Sequence, residues 1–286
     1  MNFSKDKTVL ITGATDGIGK ATALELVRKG ARVIIHGRNY QKAWAVADWI
    51  FDQTGKRVLD IMTADFSSLL DVRRLADEIC DKDADIQILI NNAGVYLDRR
   101  VITADGNELT FQVNYLAPFL LTLLLENLLK ENRPSRVINV TSTLHIDAKL
   151  RFENLRGEEF YEGHEAYGTS KLALSLFTLE LAERWSRTGV EVYHLHPGGV
   201  STKLLRAGFG TGGITPEEGA RTSVHLALAP RLPQKSGRYF SRQRVAEPDP
   251  RVFDDQLRVR LWNETERLVQ LQDARRNITC FKRSAS

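Results

Sequence analysis

The chain has 286 residues, 42% hydrophobic and 27% charged, with 40 Lys and Arg against 36 Asp and Glu for a net charge of +4. This balance suits a large α/β domain with a sizeable core, and the basic residues are too dispersed to form the arm or block that tracks nucleic acid. The most apolar run, residues 115–129, contains Pro118 and Glu126 and is too short to span a bilayer; it reads as a buried core helix, and no membrane anchor is expected.

From the N-terminus, short β-branched runs alternate with longer helical patterns. Residues 7–12 (KTVLIT) predict a strand, and residues 18–30 an amphipathic helix closed by Gly30. Strands at 32–37, 57–62 and 86–91 follow, each leading into a helix, over about 41–54, 68–82 and 105–131. A fifth strand at 135–142 precedes a helix over about 164–187, and a sixth at 190–197 precedes one over about 216–229. GRYFS at 237–241 is a candidate seventh. Such alternation predicts an α/β fold: a doubly wound parallel sheet of about seven strands with helices on both faces. Residues 1–245 are expected to form this unit, including the substrate pocket. Residues 246–286 are expected to form a helical extension whose Val252, Leu257, Leu261, Leu268 and Leu271 cap the domain or reach a partner.

Cys80 and Cys280 stand two hundred residues apart, neither a disulfide framework nor a metal-ligand spacing. They predict a reducing compartment and cytoplasmic location. His145, His164, His194 and His196 lack a metal spacing as well, so no metal site is expected.

The first strand runs into TGATDGIG, residues 12–19, which opens a helix. Gly13, Gly17 and Gly19 allow a sharp turn and let backbone N–H groups approach an anion at the helix N-terminus, with Thr15, Asp16 and Ile18 beside them. The end of the second strand chooses between NAD and NADP: an acid there binds the ribose 2′-hydroxyl, whereas an arginine suits a 2′-phosphate. Here Gly37 is followed by Arg38 and Asn39, so NADP(H) is favoured over NAD(H). Farther on, Tyr167 and Lys171 stand four apart, on one face of a helix. A free phenol titrates near ~10, and a neighbouring ammonium favours the phenolate, so the pair is a candidate acid/base and tuning cation. Ser142, at the end of the fifth strand, can donate a hydrogen bond to a carbonyl oxygen as charge develops on it.

These landmarks, with ADF at 64–66, NNAG at 91–94, Asn114 and PGGVST at 197–202, resemble in type and order the short-chain dehydrogenase/reductase family, from residue 7 to about residue 245. The segment from Ser142 to Tyr167 resembles the retinol dehydrogenase-like and WW-domain oxidoreductase-like branch. The resemblance implies a Rossmann-type fold and hydride transfer between a nicotinamide and a small-molecule alcohol or carbonyl. It also implies that Lys171 holds the nicotinamide ribose and that Asn114 keeps a water near Lys171. Asp65 and Phe66 would lie near the adenine. Asn91, Asn92, Ala93 and Gly94 would form the cofactor floor, and Pro197, Gly198, Val200 and Thr202 would meet the nicotinamide end. Assembly as a homodimer or homotetramer through the helices at 105–131 and 164–187 is implied too. Asp16 departs from many NADP-preferring relatives, which carry a basic residue there, so Arg38 must carry the preference. Phe152, Phe160, Tyr161, Leu204, Leu205 and Phe209 predict a lipophilic substrate, and the glycine-rich residues 207–213 a mobile lid. Two other readings compete: a catalytically silent NADP(H)-sensing or scaffolding homologue, and a protochlorophyllide-type reductase.

Overall fold

The central β-branched runs are strands because they are apolar on both faces and can be buried only inside a sheet. The computed structural model describes residues 7–82, 85–232, 235–277 and 280. Its strands are β1 (Thr8–Ile11), β2 (Arg32–Gly37), β3 (Asp60–Thr63), β4 (Ile86–Asn91), β5 (Ser135–Val140), β6 (Val190–His196), β7 (Tyr239–Ser241) and β8 (Arg244–Ala246). They form one sheet in the order β3-β2-β1-β4-β5-β6-β7-β8. All neighbours pair in parallel except β7 and β8. β8 exceeds the strand number expected; at three residues, Arg-Val-Ala, it is too short to show a period. The strand order reverses between β1 and β4, so the crevice beyond their carboxyl ends is where a ligand belongs.

The helices are α1 (Gly17–Arg28), α2 (Tyr40–Thr54), α3 (Leu69–Asp81), α4 (Leu109–Phe111), α5 (Ala117–Leu124), α6 (Glu126–Glu131), α7 (Gly163–Arg184), α8 (Lys203–Gly208), α9 (Pro216–Leu228), α10 (Asp255–Leu268) and α11 (Leu271–Asn277). Apolar residues of α1, α2 and α9 pack on one face of the sheet, and those of α3, α5 and α7 on the other. The helix expected over 105–131 is interrupted. Glu108 starts it late by accepting the Thr110 and Phe111 amides at 2.9 and 2.7 Å. A π turn, Gln112–Leu116, then precedes α5. Pro118 has no N–H for the carbonyl four residues back, which favours the wider turn there.

The C-terminal segment closes over α5 and α7. Trp262 lies 5.0 Å from Phe119 and 5.9 Å from Phe177. Arg258, 1% exposed, is compensated by Glu180, Glu183 and Asp255 at 3.3, 2.6 and 2.7 Å. Arg73 holds the carbonyl of Val269, and Arg275 pairs with Glu126. This return brings Cys280 onto α3, where it forms a disulfide with Cys80. The expectation of two unpaired cysteines is thereby corrected, and the inference of a reducing compartment loses its support. Sequence separation concealed the pair because the intervening fold, rather than spacing along the chain, sets the distance between them.

Candidate active site

Gly13 has φ 66°, and a Cβ there would stand 2.7 Å from Ala93 Cα, so the loop after β1 touches the loop after β4 at backbone level. Hydrogen bonds join these loops. Thr12 Oγ1 accepts the amides of Asn92 and Ala93 at 3.0 and 3.1 Å, and Asn92 Nδ2 donates to the carbonyls of Thr12 and Gly13 at 2.8 and 3.1 Å. Asn91 does not join the floor. It is buried and donates to Thr122 Oγ1 and Asn139 Oδ1, tying strands to α5.

His36, unmarked in the sequence, holds the loop from the other side. Its Nδ1 accepts the Gly13 amide at 3.4 Å, Nε2–H donates to the Ala64 carbonyl at 3.2 Å, and its ring stacks 4.6 Å from Phe66. Both bonds suit the neutral ring, and burial pushes its pKa down to about 4.

The resulting cleft, about 380 Å³, is lined by Gly13, Thr15, Asp16, Gly17, Ile18, Gly19, Arg38, Asp65, Phe66, Asn92, Ala93, Gly94 and Thr202, with His36, Val113, Lys203 and Leu204 added by the fold. Asn39, Pro197, Gly198 and Val200 do not line it. Asn39 accepts the Lys42 amide at 2.9 Å and caps α2, so its side chain is occupied. Val200 bridges to Ile214, and a Cβ on Gly198 would meet Ile214 at 2.7 Å. Asp65 lines the cleft and accepts from the Ser67 amide and hydroxyl at 2.9 and 2.8 Å through one oxygen, Oδ1.

Asp16 caps α1 and pairs with Lys203 at 2.6 Å, and the Lys203 ammonium holds its carboxyl below the usual range. The acid that stood against NADP binding is therefore compensated, by a lysine that no motif marks. Arg38 is exposed at the rim and has no polar partner among the described residues. A nucleotide fits this donor set: close-approach glycines, amides at a helix N-terminus, and an unpaired guanidinium at the far end.

Beyond the cleft, Tyr167 and Lys171 stand buried one turn apart in α7, with the Lys171 ammonium 5.5 Å from the Tyr167 ring. Lys171 donates to the Val140 carbonyl at 3.0 Å and has no carboxylate partner among the described residues. Burial pushes its pKa down to about 8. Burial also holds the Tyr167 phenol well above its ordinary range, and a hydrogen bond with Ser142 pulls it partly back. Desolvation is the larger influence on the phenol, and Ser142 is the neighbour that acts against it. Asn114, in the π turn, accepts the Val95 amide at 2.8 Å and donates to the Val95 carbonyl and Ser170 Oγ at 3.0 Å each. Ser170 Oγ in turn donates to the Tyr167 carbonyl at 2.7 Å, so Asn114 ties the loop after β4 to the turn carrying Tyr167.

Phe209 packs on the substrate side, 5.7 Å from Tyr167 and 5.1 Å from Tyr96. Tyr96 was not legible as a site residue. Phe152 packs against the main core and stacks under Arg260 at 3.9 Å.

The family model for short chain dehydrogenase matches residues 7–209. The chain belongs to the short-chain dehydrogenase family. It is 42% identical to retinol dehydrogenase 12 of Bos taurus, over 93% of this chain and 87% of that protein. It is 41% identical to human retinol dehydrogenase 11, over 90% and 84%. A Mycobacterium paratuberculosis protein of known structure superposes with TM-score 0.77 at 30% identity, covering 93% of this chain and 94% of that one. An Escherichia coli CFT073 short-chain dehydrogenase solved with NADPH superposes at 0.69 and 26% identity, covering 85% and 99%. This short-chain dehydrogenase is thus an oxidoreductase of retinol dehydrogenase type. No helix among its described residues is long and apolar enough to cross a membrane.

Proposed function

We propose that the chain is an NADP(H)-dependent oxidoreductase acting on a lipophilic aldehyde, ketone or alcohol of retinoid- or steroid-like class. The observation that carries this reading is the pairing of buried Tyr167 and Lys171 with a half-buried Ser142 near the glycine-lined cleft, with Lys171 unpaired by any described carboxylate. The dinucleotide supplies the hydride. Tyr167 holds the proton destined for the substrate oxygen, and its burial keeps that proton on the phenol at neutral pH. Ser142 steadies the same oxygen by hydrogen bonding. Lys171 places a cation under the ring and offers its remaining donors to the ribose. Asn114 sets the relation between the cofactor floor and α7. Phe209 and Tyr96 form an aromatic wall beside Tyr167, which favours apolar substrates.

NADP preference is supported by the unpaired Arg38 and by the neutralised Asp16. Any homodimer or homotetramer would use faces other than α5–α7, because α10 and Trp262 already cover that seam. The test is NADPH and NADH oxidation side by side with retinal, nonanal and a polar sugar. Turnover confined to the sugar would reject the substrate class, and no turnover on any carbonyl would favour the silent sensor.

A further inference from the structure

The C-terminal extension is linked to the loop that carries Ser142. β8 turns the chain back along the sheet edge, and the segment after it lays Asp249 behind residues 142–148. The Asp249 amide donates to His145 Nε2 at 3.0 Å. The same ring offers Nδ1 to the Ser142 carbonyl. A backbone amide can only donate, so Nε2 must be the acceptor; Nδ1 therefore carries the hydrogen and donates to Ser142. His145 is 0% exposed, and its ring is held edge-on by Tyr239 at 5.0 Å.

The far end of the loop is held as well. Asp249 Oδ2 accepts the Asp147 amide at 2.9 Å, at a residue with φ 62° that few side chains adopt unaided. Arg251 grips both carboxylate oxygens of Asp249, at 2.8 and 2.7 Å, and donates to the Ala148 carbonyl at 2.6 Å. A bidentate pair of this kind fixes direction as well as distance. None of His145, Asp249 and Arg251 lines the nucleotide cleft.

We infer that His145 and Asp249 are positioning residues through which the C-terminal extension sets the place of the Ser142 hydroxyl. This rests on the role proposed above for Ser142. A general packing role would disturb folding and cofactor binding without regard to Ser142. A positioning role acts only through Ser142.

A double-mutant cycle tests it. With NADPH and nonanal, His145→Phe should lower kcat by about tenfold to a hundredfold. The NADPH Kd, read by fluorescence titration, should stay within about twofold, since the buttress lies outside the cleft. In a Ser142→Ala background the same substitution should cost less than about twofold. Equal losses in both backgrounds, or an unchanged kcat in the first, would overturn the inference. Arg251→Ala, at a side chain 39% exposed, supplies a second variant if His145→Phe does not fold. Its crystal structure should show Ser142 displaced from Tyr167, and an unmoved Ser142 would refute the buttress without reference to turnover. Ser142→Ala with wild-type kcat would instead reject the proposed function, leaving the crystallographic comparison to decide the buttress.

Discussion

Arg38 is the residue on which cofactor choice turns. It stands exposed at the end of β2, with no polar partner among the described residues, so Arg38→Ala removes no native contact and should leave folding untouched. A hydrogen bond to a charged group contributes about 1.5–3 kcal/mol, and exposure places this one at the low end. About 1.5 kcal/mol corresponds to a roughly tenfold rise in KM for NADPH. NADH lacks the 2′-phosphate and should be unaffected, so the ratio of the two kcat/KM values is the quantity to measure. Lys203→Ala should act in the same direction: freed from its 2.6 Å partner, the Asp16 carboxylate would face the nucleotide phosphates uncompensated. A few-fold weakening is expected, reduced by salt because both groups are exposed. If Arg38→Ala weakens NADPH and NADH equally, the guanidinium does not read the 2′-position and the reasoning fails.

Four further outcomes are expected. Tyr167→Phe should abolish carbonyl reduction while NADPH binding persists, because the lost hydroxyl lies outside the residues lining the cleft; full activity would reject the acid assignment. The kcat/KM for reduction should fall as pH rises through about 8, where Lys171 loses its charge. The sign follows from direction: Tyr167, raised by burial, still holds its proton at that pH, so the declining limb belongs to the lysine, and a profile flat to pH 9 would count against it. Trp262→Ala should cost about 3–5 kcal/mol in denaturant unfolding, since the indole fills the seam with Phe119 and Phe177 and stacks against Arg184 at 4.0 Å. Thiol titration of the protein denatured without reductant should find no free cysteine, and Cys80→Ser should lower stability by about 2–4 kcal/mol.

The sheet and most helices were legible because burial on both faces leaves a local imprint: continuous apolar strands, helical periods and glycine closures. The phosphate loop was legible for a similar reason, since Gly13 must reach φ 66° where Ala93 leaves no room for a Cβ. What escaped were contacts made at long range. Lys203 meets Asp16 across the cleft mouth, His36 joins three strand ends through two bonds, and Cys280 reaches Cys80 only after α10 has turned back over α7. No spacing encodes such pairs. Motif position did not show that Asn39 Oδ1 caps a helix or that Asn91 Nδ2 ties strands to α5.

The pKa directions reveal a division of labour within the site. Burial shifts both Tyr167 and Lys171 toward their neutral forms, but it leaves the phenol protonated and, with a pKa of about 8, the lysine still charged at neutral pH. A neutral phenol is ready to give a proton, so reduction needs no further tuning. Oxidation needs the phenolate, and among the described neighbours only Ser142 offers it a hydrogen bond. Oxidation should therefore depend on Ser142 more steeply than reduction does. Ser142→Ala measured in both directions, with retinol and NADP+ and then with retinal and NADPH, should depress oxidation by the larger factor. Equal factors would mean that the serine acts on the substrate oxygen alone and not on the phenol.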